Sequence, residues 1–302
     1  MTKNALHRPV LLNEVMTQLD IQPDHFYLDA TFGRGGHSRE ILKKKGKVIA
    51  FDCDLEAINY AKKEFLTEIA EKNLILVREN FDQLAATLES VKKQRKIEKI
   101  DGILFDFGTS VDQLKSTTRG FSFDHSEAAL DMRMDSRLAV KAQDLLRVLP
   151  EKQLSKIFLI YGGEREARKI AKAVVESRSK GLNQFDTVGE LVELILKIKK
   201  EKRKRLHPAT KVFQALRIAV NDELSSIQKA LDQALKIINN QGKIICISFH
   251  EGEDRIVKRL FKQWQRQNLG QMLNKKAILP TAEEIKANPR SRSAKMRVFR
   301  RA

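Results

Sequence analysis

The sequence predicts an α/β protein: a mostly parallel sheet covered by helices on both faces, interrupted by a mainly helical insertion. Three observations predict it. Short apolar runs alternate with helically spaced segments through the first third of the chain. A glycine-rich turn leads out of the first of these runs into a helical pattern. The interval between the fourth run and the next is too long for one crossover helix and is itself helically patterned.

Taken in order, residues 26–30, 47–51, 74–78 and 100–106 are expected strands, each short, apolar and bounded by charged or turn residues. Residues 38–45, 55–69 and 82–94 carry helical spacing between them. A loop is expected from 107 to about 124, then helices near 142–149, 152–160, 164–177 and 187–200, and a further pair near 209–220 and 223–238. Residues 242–249 predict another buried strand, followed by a helix over about 254–267. Residues 276–279 and 295–300 are the expected last strands, separated by a polar loop containing Pro280 and Pro289. The sheet-bearing domain is assigned to 1–130 and 208–302, the insertion to 131–207.

The chain has 302 residues and a formal net charge of +18. No apolar run approaches the roughly 20 residues that span a bilayer, and Lys3, His7 and Arg8 are not followed by a signal-peptide core. Cys53 and Cys246 are the only cysteines, which excludes a disulfide framework and a Cys-based zinc site and fits a reducing cytosol. Residues 255–302 hold 14 basic and 2 acidic residues, and residues 141–205 hold 17 and 9; the remainder is nearly neutral. A neutral body with two basic regions is the footprint of a polyanion binder, and nucleic acid is favoured over a membrane surface. The dense run Lys197, Lys199, Lys200, Lys202, Arg203, Lys204 and Arg205 has a plainer reading as a solvated helix end.

The strongest chemical signal is the turn Asp29-Ala-Thr-Phe-Gly33-Arg-Gly35-Gly36-His37-Ser38. Ligands of such sheets gather at the carboxyl ends of strands, where glycine lets the backbone approach closely. The dinucleotide fingerprint requires a third glycine where Ser38 stands, and no phosphate-binding G-x-x-x-x-G-K-[ST] loop occurs. An acid at a strand end followed by close glycines is similar to the first motif of class I S-adenosylmethionine (SAM) methyltransferases; a merely structural turn is the alternative. Asp52 ends the second expected strand, where a carboxylate accepts hydrogen bonds from both ribose hydroxyls. Asn80 and Phe81 follow the third, offering an amide and an aromatic face to adenine, although Phe81 suits the core equally. Asp106 ends the fourth, beside the expected methyl acceptor.

The blocks Phe32-Gly-Arg-Gly-Gly-His-Ser38, Arg119-Gly-Phe-Ser-Phe123, Leu130-Asp-Met-Arg-Met-Asp135, Tyr161-Gly-Gly-Glu164, His207-Pro-Ala-Thr210, Phe213-Gln-Ala-Leu-Arg-Ile218 and Glu253-Asp-Arg-Ile-Val-Lys258 resemble the ribosomal RNA small subunit methyltransferase H family, also called MraW. The resemblance runs from about Val10 to Arg297. It implies a Rossmann-like class I methyltransferase domain with a mostly parallel seven-stranded sheet, interrupted by a helical substrate-recognition domain. It also implies SAM-dependent methylation of a cytidine N4 in the decoding region of 16S rRNA, within a 16S rRNA or small-subunit partner in the cytoplasm. Carried over by position, Gly35, Gly36 and His37 correspond to the SAM loop, Asp52 to the ribose carboxylate and Phe81 to the adenine contact. Asp106 and Gln113 correspond to the remaining cofactor positions, and Asp29 and Gly33 complete the set. The chain departs from the family at Phe107-Gly-Thr-Ser110-Val111, which removes a hydroxyl at position 111, and at Glu251-Gly252.

The sulfonium of SAM is already activated, so no metal is expected, and the enzyme's task is in-line alignment. Cytosine N4 is a weak nucleophile, and acceptors that hold its hydrogens would turn its lone pair toward the methyl group; Asp106 and Ser110 are the candidates. A base must be splayed out to react, and Phe121 and Phe123, beside Arg119, form the expected stacking platform, with burial as the alternative. His250, Arg217, Asn221, Arg290 and Arg292 complete the candidate RNA contacts, with Lys295 and Arg297 extending the basic tail. His250 suits a structural strand-end role, and the neighbours of Arg217 and Asn221 suit a core helix. The competing functions are methylation of another nucleic-acid base and an RNA-binding assembly factor with a vestigial SAM pocket.

Overall fold

The computed structural model describes residues 9–182, 184–199 and 207–302. They fall into two compact units, Met1–Gly108 with Leu224–Ala302, and Thr109–Glu223. Among the described residues no helix is long and apolar enough to cross a membrane.

The first unit holds seven strands: β1 (Phe26–Asp29), β2 (Lys47–Phe51), β3 (Leu74–Val77), β4 (Gly102–Asp106), β5 (Lys243–Ser248), β6 (Gly270–Met272) and β7 (Lys295–Arg301). Their order is β3-β2-β1-β4-β5-β7-β6. The first five strands run parallel, and β7 is antiparallel to both β5 and β6. Strand residues alternate between two apolar layers, as a pleat requires. Leu28, Ile49, Phe51, Ile103, Phe105 and Cys246 pack with the helices Leu84–Arg95, Glu223–Ile237 and Glu251–Arg266. Tyr27, Val48, Ala50, Leu104, Ile245 and Ile247 pack with Leu12–Leu19, Gly36–Lys43 and Leu55–Glu64. Burial on both faces explains why these strands read as continuous apolar runs. The connections from β1 go to β2 on one side, while β4 lies on the other, so the sheet has a switch point between β1 and β4.

Two elements differ from expectation. The helix predicted over 55–69 breaks at fully buried Phe65 (φ −125°, ψ 36°), whose ring meets Phe32 edge-on, and resumes at Leu66–Ala70. The sixth strand is Gly270–Met272, not 276–279, of which Ile278 alone forms a bridge, to Met296. A three-residue edge strand with glycine and an exposed Gln271 carries almost no periodicity, whereas the apolar residues after Lys276 mimic a strand.

The second unit is built from Val111–Lys115, Ala142–Val148, Glu151–Ile160, Ala167–Ser179, Val188–Ile198 and Thr210–Asn221. Its core includes Leu154, Phe158, Ile170, Phe185 and Leu191. Phe121, Leu130, Met132, Val212, Phe213 and Leu216 belong to the same core. That is why this unit reaches out to 109 and 223, beyond the assigned insertion 131–207. Lys199 closes its last described turn, donating from Nζ to Glu164 Oε2 (2.6 Å) and to the Pro208 carbonyl (2.8 Å). Lys200, Lys202, Arg203, Lys204 and Arg205 of the basic run lie outside the described residues.

Candidate cofactor and acceptor site

Strand β1 delivers Asp29 to the carboxyl edge at the switch point, in register with Ala50 of β2 and Leu104 of β4. The Asp29 carboxylate is buried and accepts from Ser38 Oγ (2.6 Å) and the Thr31 amide (3.2 Å). Ser38 therefore uses the position of a third glycine to hold this acid. Thr31 also accepts, at Oγ1, the Asp106 amide (2.7 Å), tying the ends of β1 and β4 together. Neither Ser38 nor Thr31 was singled out from sequence, although the Asp-x-Thr spacing of an Asx turn marks the second.

The turn runs through two left-handed glycines. Gly33 (φ +54°) directs its amide at Asp52 Oδ2 (2.8 Å), and a Cβ placed there would meet nothing within 4 Å. Gly35 (φ +67°) is the tight position, where a Cβ would strike the Phe32 ring at 2.4 Å. Gly36 begins the next helix, under the Pro9 ring. His37 is buried, with Nε2 3.0 Å from the Val10 carbonyl and Nδ1 3.8 Å from Asp106 Oδ2, beyond hydrogen-bond reach of the latter.

Asp52, just past β2, also accepts the Asp54 amide at Oδ1 (2.8 Å). Each of its oxygens keeps a further lone pair for a ligand hydroxyl. Burial pushes Asp52 up to about 7 against the opposing pull of the Asp54 and Gly33 amides, and burial likewise pushes Asp29 up to about 6. Asp106 is held well above the ordinary carboxylate range, by burial first and then by the charges of Asp29 and Glu253. Its Oδ1 is buried and has no hydrogen-bond partner. Phe81 follows β3 half-buried, edge-on to Phe105 and Phe107 (centroids 6.1 and 6.0 Å). Its ring is packed against the core without being enclosed by it. Asp29, Gly33, Gly35, Gly36, His37, Asp52, Phe81 and Asp106 thus share one sheet edge.

Several expected substrate residues have partners within the fold. His250 caps the helix Glu251–Arg266: its Nδ1 accepts the amides of Gly252 (3.1 Å) and Glu253 (3.4 Å), while Glu253 Oε2 accepts the amides of Phe249 and His250. The reciprocal His-x-x-Glu capping box was legible, and fully buried Glu253 is its missed member. Arg297 is buried on β7 and pairs in two-pronged fashion with Asp254 (2.6 and 3.1 Å), which removes it from the basic tail. Lys295 stands 3.9 Å from the same carboxylate. Arg290 and Arg292 are exposed on the turn Pro289–Ser293.

Within the second unit, Asn221 is buried with its whole amide engaged: Oδ1 accepts the Met134 amide (2.7 Å), and Nδ2 donates to the Met132 and Arg217 carbonyls (2.8 Å each). Arg217 pairs with Glu223 through Nε and Nη2 (2.7 and 2.9 Å). Arg119 donates to the Arg133 and Met134 carbonyls (2.8 and 3.0 Å) and lies over Phe121, which is buried in the core. These pairings share one cause: a polar side chain on a core-facing helix or a folded-back loop must satisfy itself internally. Phe123 is half-buried and stacks on His207 (centroids 4.2 Å, 16° between planes), so one face is already covered. Ser110 and Gln113 form a capping box, Ser110 Oγ accepting the Gln113 amide (3.2 Å) and Gln113 Oε1 accepting the Ser110 amide (3.0 Å).

A doubly wound seven-stranded sheet, with glycines and acids at its switch point, defines a class I methyltransferase of Rossmann-like build. The chain belongs to the MraW methylase family, whose family model matches residues 4–302. It is 44% identical to the ribosomal RNA small subunit methyltransferase H of Caldicellulosiruptor bescii, over 97% of this chain and 98% of that one. It is 43% identical to the proteins of the same name from Dictyoglomus thermophilum (98% and 97% covered) and Clostridioides difficile (97% and 97%).

Proposed function

We propose that the protein transfers the methyl group of SAM to N4 of a cytidine in small-subunit rRNA, cytidine 1402 in the conventional numbering. The observation that carries the reading is the set of three carboxyl groups, buried Asp29 and half-buried Asp52 and Asp106, gathered at one sheet edge with no lysine or arginine beside any of them among the described residues. A cationic ligand with ribose hydroxyls and an amino group fits such an edge: it supplies the missing positive charge, donors for the spare lone pairs and a partner for the orphaned Asp106 Oδ1. The open side of Gly33 leaves room for it beside bare backbone. The names of the relatives agree with a ribosomal RNA substrate.

SAM, when bound, supplies an already activated methyl group. What the chain must do is hold, orient and remove a proton. Asp52 takes the ribose hydroxyls, fixed in place by the amides of Gly33 and Asp54. The Gly33–Gly36 backbone bounds the amino-acid end, and half-buried Phe81 offers its ring to the adenine. Asp106 accepts a hydrogen from the cytosine amino group, which turns the N4 lone pair outward, and receives the proton that N4 loses on methylation. Its raised affinity for protons suits that task. Ser110 spends an acceptor lone pair on its helix cap, which leaves Asp106 as the acceptor of choice. The test is methyl transfer to small subunits lacking the modification, followed by nucleoside mass analysis. N4-methylcytidine is expected; methylation elsewhere refutes the assignment of the base. Asp106→Asn should lose turnover, and full turnover with unchanged SAM affinity would remove Asp106 from the reaction.

A further inference from the structure

The helix Glu251–Arg266 points Glu253 and Asp254 inward and its cations outward, with exposed Glu251 as its one outward acid. Asp254 is taken by Arg297, and Glu253 caps the strand end. Beyond them, Arg255, Lys258, Arg259, Lys262 and Arg266 are all exposed, and no acidic residue occurs between 255 and 266. At 100° per residue, positions 255, 259, 262 and 266 fall within one narrow stripe, with 258 at its margin. The stripe is about 16 Å long at 1.5 Å per residue. Among the described residues none of the five is in an ion pair; Arg259 donates to Gln228 Oε1 (2.7 Å), which orders its guanidinium without neutralising it.

Two plainer explanations fail. Cations that complement a helix dipole belong in the last turn, yet Arg255, Lys258 and Arg259 lie before it, where the dipole gives them nothing. A face built for solubility interleaves opposite charges, as Lys43 with Glu40, Lys169 with Glu166 and Lys172 with Glu176 do on other helices here. The stripe therefore concentrates positive charge, with Glu251, one turn before Arg255, as the single acid on that face of the helix. Its helix begins at the end of β5, immediately beside β4 and Asp106 in the sheet.

We propose that the outer face of this helix is a phosphate track, which takes the ribose-phosphate backbone of the RNA strand flanking the target nucleotide. The proposal rests on the RNA reading above and adds where the strand runs. Charge complementarity commits the surface to a polyphosphate, and Arg–phosphate pairing suits the three arginines. Such contacts release counterions, so each adds about 0.7 to 0.9 to the slope of log affinity against log salt.

The experiment compares three full-length proteins: wild type, the triple variant Arg255→Gln/Arg259→Gln/Lys262→Gln, and a charge-matched control on the sheet's other face, Lys44→Gln/Lys62→Gln/Lys63→Gln. Binding of a decoding-region RNA transcript is titrated across salt concentrations, alongside SAM affinity and methyl transfer. The expected result is a slope shallower by about 2 in the track variant only, with a raised KM for RNA and unchanged SAM affinity and kcat. Lys258→Gln/Arg266→Gln should lower the slope independently, which guards against misfolding of the triple variant. An unchanged slope in the track variant, or an equal loss in the control, overturns the proposal. A wild type that binds SAM yet neither binds nor methylates the RNA refutes the RNA reading instead.

Discussion

Buried acids are held in opposite ways in the two units. In the second, the buried acids each have a cation of their own, Asp135 with Arg137, Glu164 with Lys199 and Glu223 with Arg217, and half-buried Asp131 pairs with Arg133. Burial pushes Asp131 up, but the hydrogen bonds and charge of Arg133 outweigh it and hold the carboxyl below its ordinary value. In the first unit, Asp29 and Asp52 are held by amides and a hydroxyl, and their proton affinities are raised. The first unit is able to pair a buried acid, as Asp254 with Arg297 demonstrates. We propose that the contrast marks purpose: paired acids hold the fold, and acids at a strand edge with no cation beside them serve a ligand that carries the charge.

The widest break in that contrast comes from Glu164→Ala, which strands Lys199 half-buried beside the Pro208 carbonyl. It should cost about 3 kcal/mol, read by chemical denaturation, because removing one partner leaves an uncompensated charge. SAM affinity of the folded protein should stay as it was. Asp52→Ala should do the reverse, weakening SAM binding about 10- to 100-fold in calorimetry, as expected for charge-assisted hydrogen bonds, with a smaller effect on stability. If Asp52→Ala left SAM affinity intact, the ligand-awaiting reading of the first unit would fall. Asn221→Ala should destabilise by about 1 to 3 kcal/mol, since it leaves the Met134 amide unsatisfied, without altering the RNA affinity of the folded fraction.

The smallest and most discriminating effect is on pH. Asp29 and Asp52 bind protons more tightly folded than unfolded, so between about pH 4 and 7 the native state carries more protons. Their contribution to stability is most favourable below that window and is lost as pH rises through the folded values of about 6 and 7. Each group contributes at most about 1.4 kcal/mol per pH unit. SAM affinity should run the other way, strengthening as Asp52 ionises toward pH 8, because ribose hydroxyls donate to the charged form. Denaturation midpoints and calorimetry at pH 5.5 and 8, with Asp29→Asn as the comparison, measure both trends.

The strands of the first unit were legible because both-face burial writes an apolar run into the chain, and Gly33, Gly35, Asp52 and Asp106 were legible because they follow those runs directly. Edge strand Gly270–Met272 was not, since three residues at an exposed rim carry no period. The internal partners of Arg217, Asn221, His250 and Arg297 were hidden for a related reason. A polar residue in an amphipathic stretch looks the same whether it meets RNA or a buried carbonyl, and only its partner, up to 89 residues away for Asn221, tells them apart.

By itself the sequence determined the alternation of strand and helix, the existence of a helical insertion and the row of acids at strand ends, because local periodicity and turn chemistry are short-range properties. Tertiary structure alone decided which charges are spent. It gave Arg297 to Asp254, gave Arg217 to Glu223, and left Arg255, Arg259 and Lys262 open to solvent. Pairing depends on distances between residues far apart in the chain, and electrostatic energy follows those distances and not the order of the sequence.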